Sequence, residues 1–264
     1  MAVRDITVTS LDKITAFDVT TGAFLFVLDE LQNASIAQSQ ETVEITGKQG
    51  RKLNTLKRNK AVTISGTNGL ISGGLLELQT GGTFENKATE VQWADYLTVQ
   101  SNAATTSYKA IGTSGAEIEA LYIRGSDGTL TTQLTQATTA ASGKFTYTPN
   151  TKALGFTGVD NGTEIVVYYK RRITADVLAN ESDSYSKKTI LYIDATGEDA
   201  CSNVYHVQFF FPRADFSGEF TIDLGDNQSV HNFDAEALAG GCGTGSEFWT
   251  FTVFAENTAD YVGA

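Results

Sequence analysis

Apolar and polar residues alternate with a period of two along most of the chain, the spacing that turns successive side chains to opposite faces of a strand. The clearest case is the stretch 41–66. Val43 and Ile45 alternate with Thr42, Glu44 and Thr46, and Val62 and Ile64 alternate with Thr63 and Ser65. These two ends read as strands, joined by a long connection that carries Gly47 and Gly50. Residues 1–12 suggest an arm or edge strand held by Val3, Ile6 and Val8. Residues 14–19 predict a first full strand, and Thr20-Thr21-Gly22 a turn. In 23–28 both faces are apolar, so that strand is expected to be buried on both sides. Residues 31–40 fit a strand with a wetter face or a loop.

The period changes once. Leu70, Ile71, Leu75 and Leu78 fall at helical spacing behind Asn68, an acceptable N-cap, and before Gly81 and Gly82, which would close the helix. Gly73 and Gly74 each weaken this helix by about 1 kcal/mol relative to alanine. It therefore needs tertiary packing, which small residues permit at short range. From residue 89 onward the pattern returns to strand and turn, with strands expected over 91–100, 118–124, 128–134, 143–147, 163–179, 189–194, 205–211, 219–224, 229–238 and 248–254. Gly125-Ser126-Asp127-Gly128 and Asp160-Asn161-Gly162 are hairpin signals, and 101–115 and 136–142 read as exposed loops. With no internal repeat and no linker, 1–264 is expected to form a single β domain with elaborated loops around 97–142. The fold class is mainly β: an antiparallel β-sandwich or barrel with one flanking α-helix and a long extended loop.

Composition sharpens this. The chain has 25 glycines but two prolines, Pro149 and Pro212, which suits turns between paired strands. Its 19 basic and 31 acidic residues give a net charge of −12. Six of the bases, Lys48, Arg51, Lys52, Lys57, Arg58 and Lys60, sit together in the connection between the two strands of 41–66, with no acid among them. Without them 13 bases face 31 acids. A positive arm on a negative body is most simply used for contact between molecules. Nucleic acid would need a basic surface and stacking aromatics, and the arm has no aromatic residue. Leu53 and Leu56 within it favour protein contact, so self-association is preferred over nucleic-acid binding or a merely solvated loop. No run of 18 apolar residues occurs, so no transmembrane helix is expected. The N-terminal segment lacks the apolar core of a signal peptide, and the chain reads as made and kept in a cytosol.

Catalytic chemistry is not visible. His206, His231, Cys201 and Cys242 are zinc-ligand types, but their spacings match no finger or ribbon, and no metal site or cofactor is expected. Cys201 and Cys242 are too few for a disulfide framework, and whether they pair stays open. No G-x-S-x-G elbow occurs. Asp234 and Glu236, two apart on one strand, read as a solvated face of an acidic protein. Trp93 and Trp249 sit among apolar neighbours and are expected in the core. The chain is read as not an enzyme.

Four stretches resemble the tail tube proteins (major tail proteins) of long-tailed bacteriophages: ETVEITGKQGRKLNTLKRNKAVTISGTNGLISGGLLELQTG, GKFTYTPNTKALGFTGVDNGTEIVVYY, TADVLANESDSYSKKTILYIDATGEDACSNVYHVQFFFPRADFSGEF and VHNFDAEALAGGC. Residues 97–139 match nothing in that pattern. The resemblance implies a virion structural protein, a β-sandwich flanked by a helix. Copies would form hexameric rings that stack into a tube conducting DNA without binding it specifically. Its implied partners are itself and the tail terminator, tape measure and baseplate proteins, with no membrane insertion. Lys48, Arg51, Lys52, Leu53, Leu56, Lys57, Arg58 and Lys60 occupy the place of the loop that reaches the adjacent ring in that family. Asp18 and Glu44 are candidates to face the bore, where an acidic wall lets phosphates slide. The protein would then reside in the virion tail after synthesis in the host bacterial cytoplasm. The alternatives are another phage structural protein, a capsid decoration protein or tail terminator, and less plainly a carbohydrate-binding β-sandwich module. A pore-forming toxin would need an apolar membrane hairpin that 97–139 does not supply.

Overall fold

The computed structural model describes residues 5–224, 229–239 and 245–255. They divide into two compact units. The first comprises 1–84 and 178–264, and the second is Glu85–Val177. The family of strands is antiparallel but for one short parallel pairing, and one α-helix is present among the described residues.

In the first unit the strands are β1 (Ile6–Asp18), β2 (Phe24–Leu28), β3 (Leu31–Thr46), β4 (Lys52–Asn68), then β12 (Lys188–Asp199), β13 (Val204–Phe216), β14 (Ile222–Leu224), β15 (Ser229–Ala237) and β16 (Thr250–Phe254). They form one sheet in the order β2-β1-β12-β13-β15-β4-β3, with β14 on β15 and β16 on β13. The sheet curls until β3 comes into contact with β1, which gives this unit its sandwich-like form. Ile14, Ile64, Leu191, Phe211 and Phe233 meet inside, each at most 1% exposed. Residues 6–12 and 14–18 make one strand, not two, because β1 pairs with β12 from Ile6↔Asp199 to Asp18↔Thr189, and Val3 lies outside the described residues.

The helix α1 (Gly73–Thr80) starts at Ser72, whose Oγ accepts from the Leu75 N–H at 3.4 Å, and ends at Gly81 with φ 75°. Asn68 is therefore not its N-cap. It ends β4, buried, opposite both His231 and Leu31. Leu70 and Ile71 precede the helix and are exposed. The close packing inferred from the glycines is present: a Cβ on Gly74 would lie 2.5 Å from the Phe26 Cβ on β2.

The second unit holds β5 (Glu85–Thr98), β6 (Ala103–Thr105), β7 (Ile118–Arg124), β8 (Leu130–Gln136), β9 (Lys144–Thr148), β10 (Ala153–Phe156) and β11 (Glu164–Val177), in the order β5-β11-β7-β8-β9-β10-β6. β5 and β11 pair without a slip from Glu164↔Thr98 to Val177↔Glu85. The hairpin at 125–128 is as expected: the Gly125 N–H donates to the Thr129 carbonyl and β7 pairs with β8. Asp160-Asn161-Gly162 turns the chain but makes no hairpin, since β10 pairs with β9 and β6 while β11 pairs with β5 and β7. The stretch 101–115 is not a free loop. Asp95, 6% exposed, accepts the Ser107 N–H at 2.7 Å and the Tyr169 hydroxyl at 2.7 Å, and that hydroxyl accepts the Tyr108 N–H at 3.1 Å. The Tyr147 hydroxyl accepts the Ala110 N–H at 2.8 Å. Buried polar groups thus pair with backbone that would otherwise go unsatisfied.

Candidate functional site: the arm and the open edges

The basic connection is itself a hairpin. The strands expected to stop at residue 46 and resume at 61 instead run on, with Glu41↔Arg58, Thr42↔Lys57, Val43↔Leu56 and Ile45↔Asn54 in register. A short 3-10 turn, Lys48–Gly50, closes them, with Gln49 at φ 65° and Gly50 at φ 73°. β15 accompanies β4 only as far as Val62↔Ala237. Beyond that, Ala61 back to Lys52 forms a two-stranded ribbon, roughly 30 Å long at about 3.3 Å per residue. A ribbon of two strands is marginal alone in water.

Its charges fall into two sets. The Arg58 Nη2 donates to Glu41 Oε1 at 2.9 Å and its Nε to Glu41 Oε2 at 3.2 Å, with Asn59 Nδ2 adding 2.6 Å. Arg58 first and Asn59 second hold the Glu41 carboxyl below its usual range. Lys52 pairs with Glu44. The sequence marks Glu41 only as a strand residue and Glu44 as a bore candidate, although a hairpin register alone sets Glu41 opposite Arg58. Lys60 lies over the Phe248 ring at 5.6 Å. Lys48, Arg51 and Lys57 make no ion pair among the described residues. Apolar surface accompanies them: Leu53 is 59% exposed, Leu56 51% and Ile45 40%. The arm residues are therefore gathered on one projecting element.

Asp18 and Glu44 are not brought together. Glu44 lies on the ribbon, whereas Asp18 ends β1. There its Oδ1 accepts the N–H of Thr20 at 2.9 Å and of Thr21 at 2.7 Å. The Thr21 backbone bond leads the causes that lower the Asp18 pKa.

Two strand edges stand open. Among the described residues nothing pairs with the outer edge of β3, and β2 covers β1 only from Ile14 to Phe17. Between them the curled sheet leaves an apolar cleft of about 640 Å³, lined by Leu11, Ala34, Ile36, Ile193, Phe209 and Trp249. Trp249 packs partly buried against the core as expected, but Trp93 is 38% exposed, its Nε1 donating to Asp95 at 3.0 Å.

The other candidate chemistry is scattered. His231 is fully buried and bonds Gln79 Oε1 through Nε2 at 2.7 Å, while His206 stacks on Phe254. Cys201 is exposed, and Cys242 lies outside the described residues. Among the described residues no three metal-ligating side chains cluster. Asp234 and Glu236 lie exposed on β15. No helix of the described residues is long and apolar enough to cross a membrane.

A curled antiparallel sheet, two of whose edges are unpaired among the described residues, and a projecting charged hairpin define a mainly β protein. The chain belongs to the YomU/Tube protein family, whose profile matches residues 7–248, a span that takes in both units. It is a phage tail tube family, which makes the chain a virion tail component. No curated protein matches the chain.

Proposed function

We propose that copies of this chain assemble into hexameric rings and that the rings stack into a tube through which DNA is ejected. The observation that carries the reading is the pair of open strand edges flanking an apolar cleft, together with the ribbon that leaves the sheet. An exposed edge is a template for another strand, and a β3 edge laid against β1 of a neighbour would seal the cleft and continue the sheet around a ring. The ribbon then contacts the next ring through Lys48, Arg51, Lys52, Leu53, Leu56, Lys57, Arg58 and Lys60. Contacts that join different surfaces of identical subunits build rings and filaments.

In this tube the bore wall is the small and acidic face of β3, β4 and β15, where Ser35, Ser65, Thr63, Asp234 and Glu236 share one side of the sheet by register. Asp18, on β1, and Glu44, on the ribbon, stay separate bore candidates outside this wall. Phosphates are not held by such a wall, so DNA passes without a specific site. Glu85–Val177 is proposed to be an elaboration carried by one tube-forming domain. The tube's ends would engage the tail terminator, tape measure and baseplate proteins, and the assembled chain does work as a conduit without catalysis. Negative-stain microscopy of the purified protein over a rising concentration series tests this. Tubes with a central channel are expected, and a single monomeric species at every concentration and in every buffer would overturn it.

A further inference from the structure

The outward side of the first unit's sheet is not uniformly polar. Phe17, Ile190 and Tyr192 share one face by register, and Phe210 opposes Tyr192. A bulge at Leu25 turns Phe24 to the same side, directly opposite Phe17. The rings make a continuous stripe across β2, β1, β12 and β13. Phe24 to Phe17 is 6.0 Å between centroids, Phe17 to Tyr192 5.8 Å and Tyr192 to Phe210 4.8 Å. Beside it lies an open hollow of about 520 Å³, whose lining includes Lys13, Thr15, Phe17, Tyr192, Asp194 and Gln208. Phe24, at the end of the stripe, is 58% exposed. A contiguous apolar patch of this kind on a charged protein marks a contact surface.

We infer that the stripe Phe24–Phe17–Tyr192–Phe210 is the seat for the arm tip of a second copy, which lays Leu53 and Leu56 against the rings and Lys48, Arg51 or Lys57 over their faces. This rests on the proposed self-assembly and names the surface that completes it. Two observations select the occupant. The first is chemical: the arm carries exposed apolar side chains beside cations with no ion pair among the described residues, and aromatic faces attract both. Asp194 on the rim adds a carboxylate, shared within the chain by Gln208 at 2.8 Å and Lys13 at 4.0 Å. The second is directional. Following the register from β4 through β15, β13 and β12 to β1, the ribbon leaves at the end marked by Val204, Glu198 and Ile6. The stripe lies toward the other end, where Phe17 is one residue from the end of β1. A chain's own arm therefore runs away from its own stripe, while a copy stacked head to tail presents its arm to it.

The test uses the full chain with p-benzoylphenylalanine in place of Leu53, irradiated after assembly and mapped by peptide mass spectrometry. Inter-chain adducts on the segments 14–28, 188–194 or 206–211 are expected. Assembled tubes whose adducts map elsewhere, or that give none, overturn this seat and leave the tube reading standing. Because the bulky group itself could block assembly, Phe24→Lys is made in parallel. It alters an exposed side chain, so monomer melting should be unchanged while the critical concentration for polymer rises about tenfold. An unchanged critical concentration overturns the inference. Wild-type protein that never polymerises overturns both the inference and the reading beneath it.

Discussion

Removing together the three arm cations that make no ion pair among the described residues, Lys48→Ala, Arg51→Ala and Lys57→Ala, perturbs contacts between copies while leaving the pairs within the arm intact. Arg58 and Lys52 stay on Glu41 and Glu44, so the ribbon keeps its own cross-strand support. Each cation would face its partner near the surface, where an exposed pair contributes about 0.2–1 kcal/mol. Three give about 0.6–3 kcal/mol per arm, a factor of about 3–150 in the concentration at which polymer appears. The assay is the polymer fraction after sedimentation, across a protein series and a salt series. The same physics fixes the salt response of the wild type. The screening length falls from about 10 Å at 0.1 M to about 3 Å at 1 M, so wild-type assembly should weaken as salt rises and the triple variant should respond less. A triple variant that polymerises at the wild-type concentration, with the wild-type salt dependence, would refute the electrostatic role of the arm.

Other consequences are local. Tyr169→Phe deletes the hydroxyl that bonds Asp95 and accepts from Tyr108. It should destabilise the second unit by about 2–4 kcal/mol in urea, and a loss below about 0.5 kcal/mol would contradict the role given to that hydroxyl. Gly74→Val drives a side chain into Phe26, and should cost about 1–3 kcal/mol of first-unit stability with loss of helical signal; unchanged melting would show that α1 has room to move. Burial holds the His231 pKa below its ordinary 6.5, so the unfolded chain takes up the proton first. Its contribution is complete above about pH 6.5 and shrinks as pH falls below that. Melting temperature measured on either side of this point should decline more steeply on acidification in wild type than in His231→Phe, and equal slopes would dismiss it.

What was legible in the sequence was local. The alternation around Val62 and Ile64, the turn at 125–128 and the helix-ending Gly81 each depend on a few neighbouring residues, and all are present. What was missed depends on distant partners. Asn68 has the chemistry of an N-cap, but its place opposite Leu31 and His231 keeps it in a strand, and Ser72 caps instead. The glycine-marked turn at 160–162 signals a reversal, yet the partners of β10 lie at 103–105 and 144–148. Asp95 and Tyr169 are 74 residues apart, so no window along the chain could join them and reveal why 101–115 is ordered. The arm was identifiable by charge, whereas its strand form follows from cross-strand register, since Leu53 and Leu56 stand three apart and show no period of two. The aromatic stripe depends on a bulge at Leu25, because unbroken alternation would have put Phe24 inside with Phe26.

The central claim is that other copies cover the open edge of β3. Amide hydrogen exchange resolved along Leu31–Thr46, compared between dilute monomer and sedimented polymer, measures this directly. Amides pointing away from β4 exchange freely in the monomer and should become strongly protected in the polymer. Polymer in which those amides still exchange at the monomer rate would contradict the account.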